Sequence, residues 1–156
     1  MRTPVSLPNS FLLTAKKKLS SVCMADSMGR SLTNGQVLIV SFLMGQYLKK
    51  RHPHDQIMGV ILPPSVGGAL ANIALSFIGK LPVNLNFTAD ISAIHSAITQ
   101  AGIKTLLTSR TFLEKFPLEL PPQTQVLFLE DLIATATRNV VRKLLYASAV
   151  YTLPPS

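Results

Sequence analysis

The sequence predicts an α/β fold in which a parallel sheet carries helices on both faces and is preceded by a small β-hairpin. Two observations support this prediction. From residue 56 onwards, four short apolar segments alternate with segments of helical periodicity, the pattern of strands joined by right-handed helical crossovers. The first apolar segment, residues 56–62, also lacks the polar alternation of a half-exposed strand. Strands that are covered on both faces, as in parallel sheets, are apolar at consecutive positions and so lack this alternation.

Residues 1–33 precede the sheet and are predicted to be only partly regular. We expect an irregular N-terminal tail over residues 1–10, which contain two prolines, and a short helix over residues 11–19. Residues 22–26 and 30–33 flank the glycine-containing loop 27–29. Two short segments around such a loop predict the hairpin.

A long helix is predicted next. Thr33 and Gln36 have the spacing of a capping box, in which the two residues satisfy each other's free backbone donors. The run that follows, residues 37–48, is apolar nearly all round. We therefore expect this helix to be buried.

Residues 63–65 interrupt the first strand and can start a helix. The helical stripe that follows is complete, with apolar side chains at Val66, Ala69, Leu70, Ile73, Ala74, Phe77 and Ile78. This spacing indicates one face of an α-helix. Gly79 comes directly after the stripe and is predicted to end the helix.

The same cycle is predicted to repeat to the end of the chain, with further strands over residues 82–85, 104–108 and 125–129. We expect Thr88 to cap the next helix and Gly102 to close it, with apolar positions at Ile91, Ile94, Ile98 and Ala101. A short helix over 109–116 and a loop over 117–122 come before the last strand. Asp131 is expected to start a final helix with an apolar side formed by Ile133, Ala136, Val140, Val141, Leu144 and Leu145.

Composition excludes several classes of protein. The chain has 156 residues, of which 47% are hydrophobic, so it is not intrinsically disordered. Only 14% are charged, well below the usual fraction of about 25% in soluble domains. Much of the surface is therefore expected to meet other protein, which suggests that the chain is part of a larger unit.

Cysteine usage and the lengths of the apolar segments indicate the compartment. Cys23 is the only cysteine, and the apolar run at residues 11–13 is too short for a signal peptide. The longest weakly polar stretch, residues 66–79, is shorter than a membrane-spanning helix. We expect a cytoplasmic protein that is not secreted and lacks a transmembrane segment.

The net charge of +8 raises the question of nucleic-acid binding. Lys16 to Lys18 and Lys49 to Arg51 form separate clusters near predicted helix C-termini, where cations are favourable. Aromatic residues do not interleave with them as a stacking platform requires. We therefore expect no nucleic-acid partner.

No catalytic or metal-binding motif is found. The loop 63–68 contains neither the spaced glycines of a dinucleotide fingerprint nor the Gly-Lys-Ser/Thr of a P-loop, so Gly67 and Gly68 are expected to serve helix packing. His52, His54 and His95 lack partners at metal-ligand spacing. Cys23 is expected to be a small buried hydrophobe. Glu130 and Asp131 are expected to serve the N-terminus of the last helix.

Two features leave alternatives open. Asn84 and Asn86 lie at alternate positions at the end of a predicted strand, where they can either cap loops or line a ligand cleft. The last helix carries Arg138, Arg142 and Lys143 opposite its apolar side. Such a helix can lie on anionic lipid or present a solvated face.

Residues 59–65, the helix through Asn72 and Phe77, and residues 79–88 resemble the beginning of the adenylate-forming, AMP-binding superfamily of acyl-CoA synthetase-like ligases. Within it, residues 65–72, 82–88 and 101–115 are most similar to the acyl-[acyl-carrier-protein] synthetases that accompany 2-acylglycerophosphoethanolamine acyltransferases in bacterial phospholipid metabolism. The similarity covers roughly residues 11–150. It implies that residues 11–156 are the N-terminal part of a synthetase domain, cut before its phosphate loop.

The resemblance implies an ATP-dependent reaction in which a fatty acid forms acyl-AMP and then passes to the thiol of acyl carrier protein or CoA. ATP and Mg²⁺ are implied for the complete enzyme and none for this chain alone, because no catalytic, cofactor-binding or metal-binding position of the family maps onto it. Ser65, Asn84 and Asn86 remain as candidates for lining a substrate cleft. The partner implied is the remainder of the synthetase domain, and the chain alone is expected to be inactive, with an exposed apolar edge that causes self-association.

Two other classes of function stay open: a stand-alone α/β ligand-binding module, and a peripheral membrane or interaction protein. Salt-sensitive binding to anionic vesicles would favour the latter.

Overall fold

A computed structural model describes residues 6–135 and 137–138. The helices are α1 (Leu7–Ala15), α2 (Asn34–Arg51), α3 (Val66–Phe77), α4 (Ile91–Gln100) and α5 (Arg110–Lys115), with a 3-10 turn at Lys16–Lys18. The strands are β1 (Val22–Ala25), β2 (Ser31–Thr33), β3 (Ile57–Val60), β4 (Leu81–Asn84), β5 (Thr105–Thr108) and β6 (Gln125–Phe128). Residues 129–135 are again helical.

The central sheet has four parallel strands in the order β4-β3-β5-β6. Ile57 lies opposite Leu81, and Thr105 lies opposite Gln125. The predicted parallel sheet is confirmed. Because the strands run in the same direction, the loops that follow them all leave from one edge of the sheet, where ligands of such folds bind.

Helices cover both faces of this sheet, as predicted. On one face, β3 residues such as Met58 and Val60 join a core with α2 and α3. On the other face, Leu106 of β5 joins a core with Ile98 of α4 and Phe112 of α5. Neighbouring residues of a strand point to opposite faces, so a strand buried on both sides is apolar throughout, which explains the uninterrupted run at residues 56–62.

The first helix begins earlier than expected. Residues 1–10 were expected to form an irregular tail, yet α1 starts at Leu7 and ends at Ala15. Pro8 occupies the first turn of the helix, where its missing N–H is tolerated because no intrahelical acceptor is available there. A proline near the chain terminus therefore marks a helix start here.

The predicted hairpin and capping box are both confirmed. Strands β1 and β2 pair antiparallel around the turn at Gly29, whose φ of 79° favours glycine. Thr33 Oγ1 accepts a hydrogen bond from the Gln36 N–H at 3.3 Å, and Gln36 Oε1 accepts one from the Thr33 N–H at 2.8 Å.

The prediction that the helix over residues 37–48 is buried on all sides is wrong. Val37, Met44 and Leu48 are fully buried, but Ile39 and Phe42 are 59% and 55% exposed. The helix packs closely on α3 through one side, where Gly45 meets Ala74. In the described part of the chain, no layer covers its outer side, so apolar composition there does not mean burial.

Most of the later helices end where the sequence predicts. Gly79 and Gly102 adopt φ values of 73° and 63° directly after α3 and α4, the left-handed conformation that ends helices at glycine. The expected cap at Thr88 is wrong, since Asp90 is the N-cap residue of α4. The final helix begins at residue 129, before Asp131, and most of its predicted apolar side lies outside the described residues.

Among the described residues, no helix combines the length and the apolar character needed to cross a membrane.

Candidate functional site

A recess of about 500 Å³ lies at the carboxyl ends of β3 and β4. Its walls are the loop after β3, the first turns of α3 and the segment after β4. Ser65, Asn84 and Asn86 all line it. The structure therefore brings the three sequence candidates together at one place, although their use as ligand contacts stays a prediction.

Two asparagine side chains pair across the recess. Asn72 Nδ2 donates to Asn84 Oδ1 at 3.0 Å, and Asn84 Nδ2 donates back to Asn72 Oδ1 at 2.9 Å. Asn72 Nδ2 also donates to the Gly68 carbonyl oxygen at 2.8 Å, which fixes the orientation of both amides. Asn72 is not among the residues that the sequence predicts for the cleft. The available signal was a large polar side chain inside a mostly apolar helix.

The pair leaves limited hydrogen-bonding capacity for a ligand. Each amide has two N–H donors and two acceptor lone pairs. Both donors of Asn72 are used, whereas Asn84 keeps one free N–H and each oxygen keeps one lone pair. The other lining residues are apolar or uncharged, among them Leu62, Pro63 and Phe87. The recess thus suits an apolar ligand or one with uncharged polar groups.

The other two candidates have structural roles as well. Ser65 Oγ accepts a hydrogen bond from the Gly68 N–H at 3.1 Å and so caps α3. Asn86 Oδ1 accepts from the Thr88 N–H at 3.0 Å and from Thr88 Oγ1 at 2.7 Å. The loop-capping alternative is therefore observed for Asn86, and Thr88 is the partner in that turn rather than a helix cap.

The hairpin loop reaches the start of α3 through Asp26. Its carboxylate accepts hydrogen bonds from the N–H groups of Met28, Arg30 and Val66, each at 3.1 Å. Partial burial acts to raise the pKa of Asp26, but these backbone donors, first of all Val66, outweigh it and hold the pKa below its usual range.

At the N-terminus of α3, side chains of this chain already occupy two of the backbone N–H groups. A helix N-terminus binds anions through free backbone N–H groups, yet here Asp26 and Ser65 occupy those of Val66 and Gly68. A Cβ on Gly67 would come within 3.1 Å of Leu129 Cδ1, and one on Gly68 within 3.3 Å of the Pro63 oxygen. These contacts support the packing role that the sequence predicted for both glycines.

The neighbouring crevice between β3 and β5 is closed by the chain itself. Ligands of open α/β sheets favour the point where the following helices go to opposite faces, and here α3 and α5 do so. Thr108 Oγ1 donates to the Ile61 oxygen at 2.9 Å across this point, and Leu129 packs on Gly67 above it.

Arg110, at the start of α5, connects this helix to the final one and is not among the residues that the sequence predicts for a site. Its guanidinium forms two hydrogen bonds with Asp131, at 2.9 and 2.7 Å, and lies 4.3 Å from the centre of the Phe128 ring. The backbone N–H of Arg110 donates a hydrogen bond to Glu130 Oε1 at 3.1 Å. The hydrogen bond with Arg110 lowers the pKa of Asp131. Glu130 and Asp131 lie in the first turn of the final helix, as the sequence predicts, and also contact α5.

The histidines do not form a metal centre. His52 Nδ1 lies 3.3 Å from Asp55 Oδ2 at the opposite edge of the sheet, and His95 Nε2 lies 2.7 Å from the Glu119 oxygen. Within the described residues, no group of three or more His, Cys, Asp or Glu is placed to hold a metal ion. Cys23 is half-buried against the core that α2 and α3 form.

The asparagine pair makes a testable contribution to stability. We expect the double-mutant cycle of Asn72→Ala and Asn84→Ala to give a coupling free energy of about 1 kcal/mol, because the two hydrogen bonds exist only when both amides are present. Urea unfolding of the single and double variants measures it. Additive effects would show that the amides do not depend on each other.

The hairpin contact predicts a pH-dependent stability. The pKa of Asp26 is lower in the folded state, so its stabilising effect is present above its unfolded pKa near 4 and is lost as the pH falls through the lower folded value. We expect Asp26→Asn to lower the melting temperature at pH 7 but to match the wild type at strongly acidic pH. A difference that persists in acid would contradict this.

No family model matches the chain. Among solved structures, the nonribosomal peptide synthetase FmoA3 aligns with a TM-score of 0.75 and 20% identity, over 85% of this chain and 14% of its own. The N-terminal subdomain of NpsA from Klebsiella oxytoca aligns with a TM-score of 0.72 and 18% identity, over 86% and 34%. The luciferase-like enzyme of the mealworm Zophobas morio aligns with a TM-score of 0.67 and 16% identity, over 85% and 35%.

These neighbours are adenylate-forming enzymes, and the similarity shows that the chain shares the fold found in their N-terminal subdomains. The chain spans about a third of the length of the NpsA subdomain and of the mealworm enzyme.

Proposed function

We propose that this chain is the N-terminal scaffold of an ATP-dependent, AMP-forming ligase that activates a fatty acid as acyl-AMP and transfers it to a thiol. The observation that carries the proposal is the fold. More than four-fifths of the chain aligns with adenylate-forming enzymes, while covering about a third or less of each. The scaffold would act together with the remainder of a synthetase domain.

The assignment of a fatty acid as substrate and of a thiol as acceptor is supported by the sequence resemblance and not by the fold. Residues 59–65, 79–88 and 101–115 resemble acyl-[acyl-carrier-protein] and acyl-CoA synthetases. The recess is compatible with this substrate class, because its lining contains no charged side chain that would pair with the ammonium group of an amino acid. Acyl carrier protein and CoA are both possible acceptors in this proposal.

The described residues do not fit ATP or Mg²⁺. Two of the first N–H groups of α3, those of Val66 and Gly68, are hydrogen-bonded to Asp26 and Ser65, and no lining residue of the recess is cationic. Catalysis of acyl-AMP formation requires preorganised donors or cations around the phosphates. We infer that these groups belong to the remainder of the enzyme and that the chain alone is inactive.

Pyrophosphate exchange tests this proposal. We expect the purified chain, given Mg-ATP, labelled pyrophosphate and a fatty acid, to form no labelled ATP. We expect a longer protein, in which this scaffold is joined to the remainder of a synthetase domain that contains a Ser/Thr-Gly-rich loop, to show fatty-acid-dependent exchange. Exchange by the chain alone would overturn its inactivity. Dependence on an amino acid or aryl acid would overturn the fatty-acid assignment.

The recess favours a second candidate, a stand-alone ligand-binding module. Its volume lies within the range of small-molecule sites. Such a module would bind a ligand without further protein. Calorimetric binding of a fatty acid by the chain alone with micromolar affinity would support it, whereas binding only by the longer protein would favour the scaffold.

A further inference from the structure

We propose that the outer face of α2, together with the 3-10 turn before the hairpin, is a docking surface for an anionic lipid membrane. The surface consists of Lys16 to Lys18, Leu19, Ile39, Phe42 and Lys49, and is called the α2 surface below. None of these residues lines the recess.

The apolar part of this surface is continuous. Gly35, Ile39, Phe42 and Gln46 lie at helical spacing along one side of α2. Leu19 extends this line, because the Gly35 N–H donates to the Leu19 oxygen at 2.9 Å and a Cβ on Gly35 would lie 3.7 Å from the Leu19 Cβ. Leu19, Ile39 and Phe42 are 51%, 59% and 55% exposed.

Lysines lie at both ends of the apolar line. Lys16 to Lys18 come directly before Leu19, and the Lys18 oxygen accepts a hydrogen bond from Asn34 Nδ2 at 2.9 Å, which fixes this turn at the start of α2. At the other end, Lys49 follows Gln46 on the same side of the helix. The two basic clusters that look separate in the sequence therefore bracket one helix face.

Charge is distributed unevenly along the chain. Residues 1–54 contain eight Lys and Arg and a single acidic residue, Asp26, whereas residues 55–156 contain seven and six. The carboxylate of Asp26 is already bonded to backbone donors at α3. Residues 1–54 thus carry nearly all of the net positive charge.

A membrane fits these features better than a protein partner does. Apolar side chains inserted at the lipid headgroups, flanked by flexible lysines that reach anionic phosphates, are typical of interfacial helices. A wholly apolar protein face would match Ile39 and Phe42 but would offer no partner to the lysines at both ends of the line, whereas anionic headgroups and acyl chains together match both.

Vesicle flotation of the complete chain tests the proposal. We expect binding to phosphatidylcholine vesicles that contain phosphatidylglycerol, little binding to phosphatidylcholine alone, and release at high salt. Replacing Lys16, Lys17 and Lys18 by Gln should weaken binding about a hundredfold. Ile39→Ser and Phe42→Ser should each weaken it about tenfold.

Two matched variants control for charge and exposure. Arg30→Gln, Lys104→Gln and Lys115→Gln together remove the same charge from exposed positions outside the α2 surface, and should bind nearly as well as the wild type. Ile91→Ser removes an exposed isoleucine from α4 and should do the same. Thermal unfolding of every variant identifies any loss of binding that is due to misfolding.

Three results would overturn the proposal. One is equal weakening by the control variants, which would indicate nonspecific attraction of a basic protein. Another is lipid-free dimerisation abolished by Ile39→Ser and Phe42→Ser, which would assign the α2 surface to a second copy. The third is salt-sensitive binding to polyglutamate with the same dependence on Ile39 and Phe42, which would assign it to an acidic protein. Binding of vesicles by the chain would leave the adenylation proposal unaffected, since that reaction is measured separately.

Discussion

Replacing Lys80 by Met is expected to lower the free energy of unfolding by about 3 kcal/mol. The Lys80 side chain is buried at the amino edge of the sheet, and its Nζ donates to the backbone oxygens of His52 and Asp55 at 2.6 and 2.5 Å. These two carbonyls belong to the turn between α2 and β3. Met has a similar length but no donor, so both oxygens would lose a charge-assisted hydrogen bond.

Urea unfolding followed by circular dichroism measures this loss. Lys104→Met is the matched control, because Lys104 is exposed just before β5, and it should change stability by less than about 0.5 kcal/mol. If both variants were equally stable, the contacts of Lys80 would contribute nothing beyond those of a surface lysine.

Lys80 also illustrates what the sequence could not reveal. The residue precedes a strand that the sequence predicted nearly correctly, and Gly79 before it was predicted to end a helix. Its acceptors lie more than 20 residues earlier in the chain. Nothing local distinguishes a buried lysine that holds a distant turn from a solvated one, because the difference is made by tertiary contacts.

The periodicity of apolar residues and the capping motifs were sufficient to predict the helices and strands and the fold class. The stripe from Val66 to Ile78 and the capping box at Thr33 each depend on neighbours within a few residues, and both predictions agree with the structure. The order β4-β3-β5-β6 was not predicted. Strand order depends on contacts between segments far apart in sequence, on which a single sequence carries little information.

The residues of the recess were partly predictable, because position at a strand end is a local feature of the sequence and hydrogen-bond partners are not. Asn84 and Asn86 lie at a strand end, where the topology places ligand loops, and they do face the recess. Whether they would cap loops or line a cleft depended on hydrogen-bond partners that the sequence alone does not identify. Asn86 bonds within its own turn, whereas Asn84 bonds to Asn72 on another element.

The burial of α2 was mispredicted because apolar composition does not specify which side has a partner. Its inner side packs on α3 so closely that a Cβ on Gly45 would lie 2.9 Å from the Ala74 oxygen and 3.0 Å from Ile78 Cγ2. The outer side carries Ile39 and Phe42. A glycine inside a long helix was the available sign of this close contact.

This contact leads to the second large effect. Gly45→Val is expected to lower the free energy of unfolding by about 3 kcal/mol, because its added carbons would overlap the backbone of α3, which cannot move without disturbing the core. The better helix propensity of Val than Gly offsets only a few tenths of a kcal/mol. Thermal and urea unfolding measure the change.

Ser41 provides a control of opposite sign on the same helix. Its side chain is fully buried one turn before Gly45, and its Oγ has no hydrogen-bond partner among the described residues. Ser41→Ala removes that hydroxyl without adding volume, so it should leave stability unchanged or raise it by about 1 kcal/mol. If Gly45→Val were tolerated as well as Ser41→Ala, the two helices would not be in the close contact described. Destabilisation by Gly45→Val alone would show that backbone proximity, rather than the apolar character of α2, fixes how this helix packs.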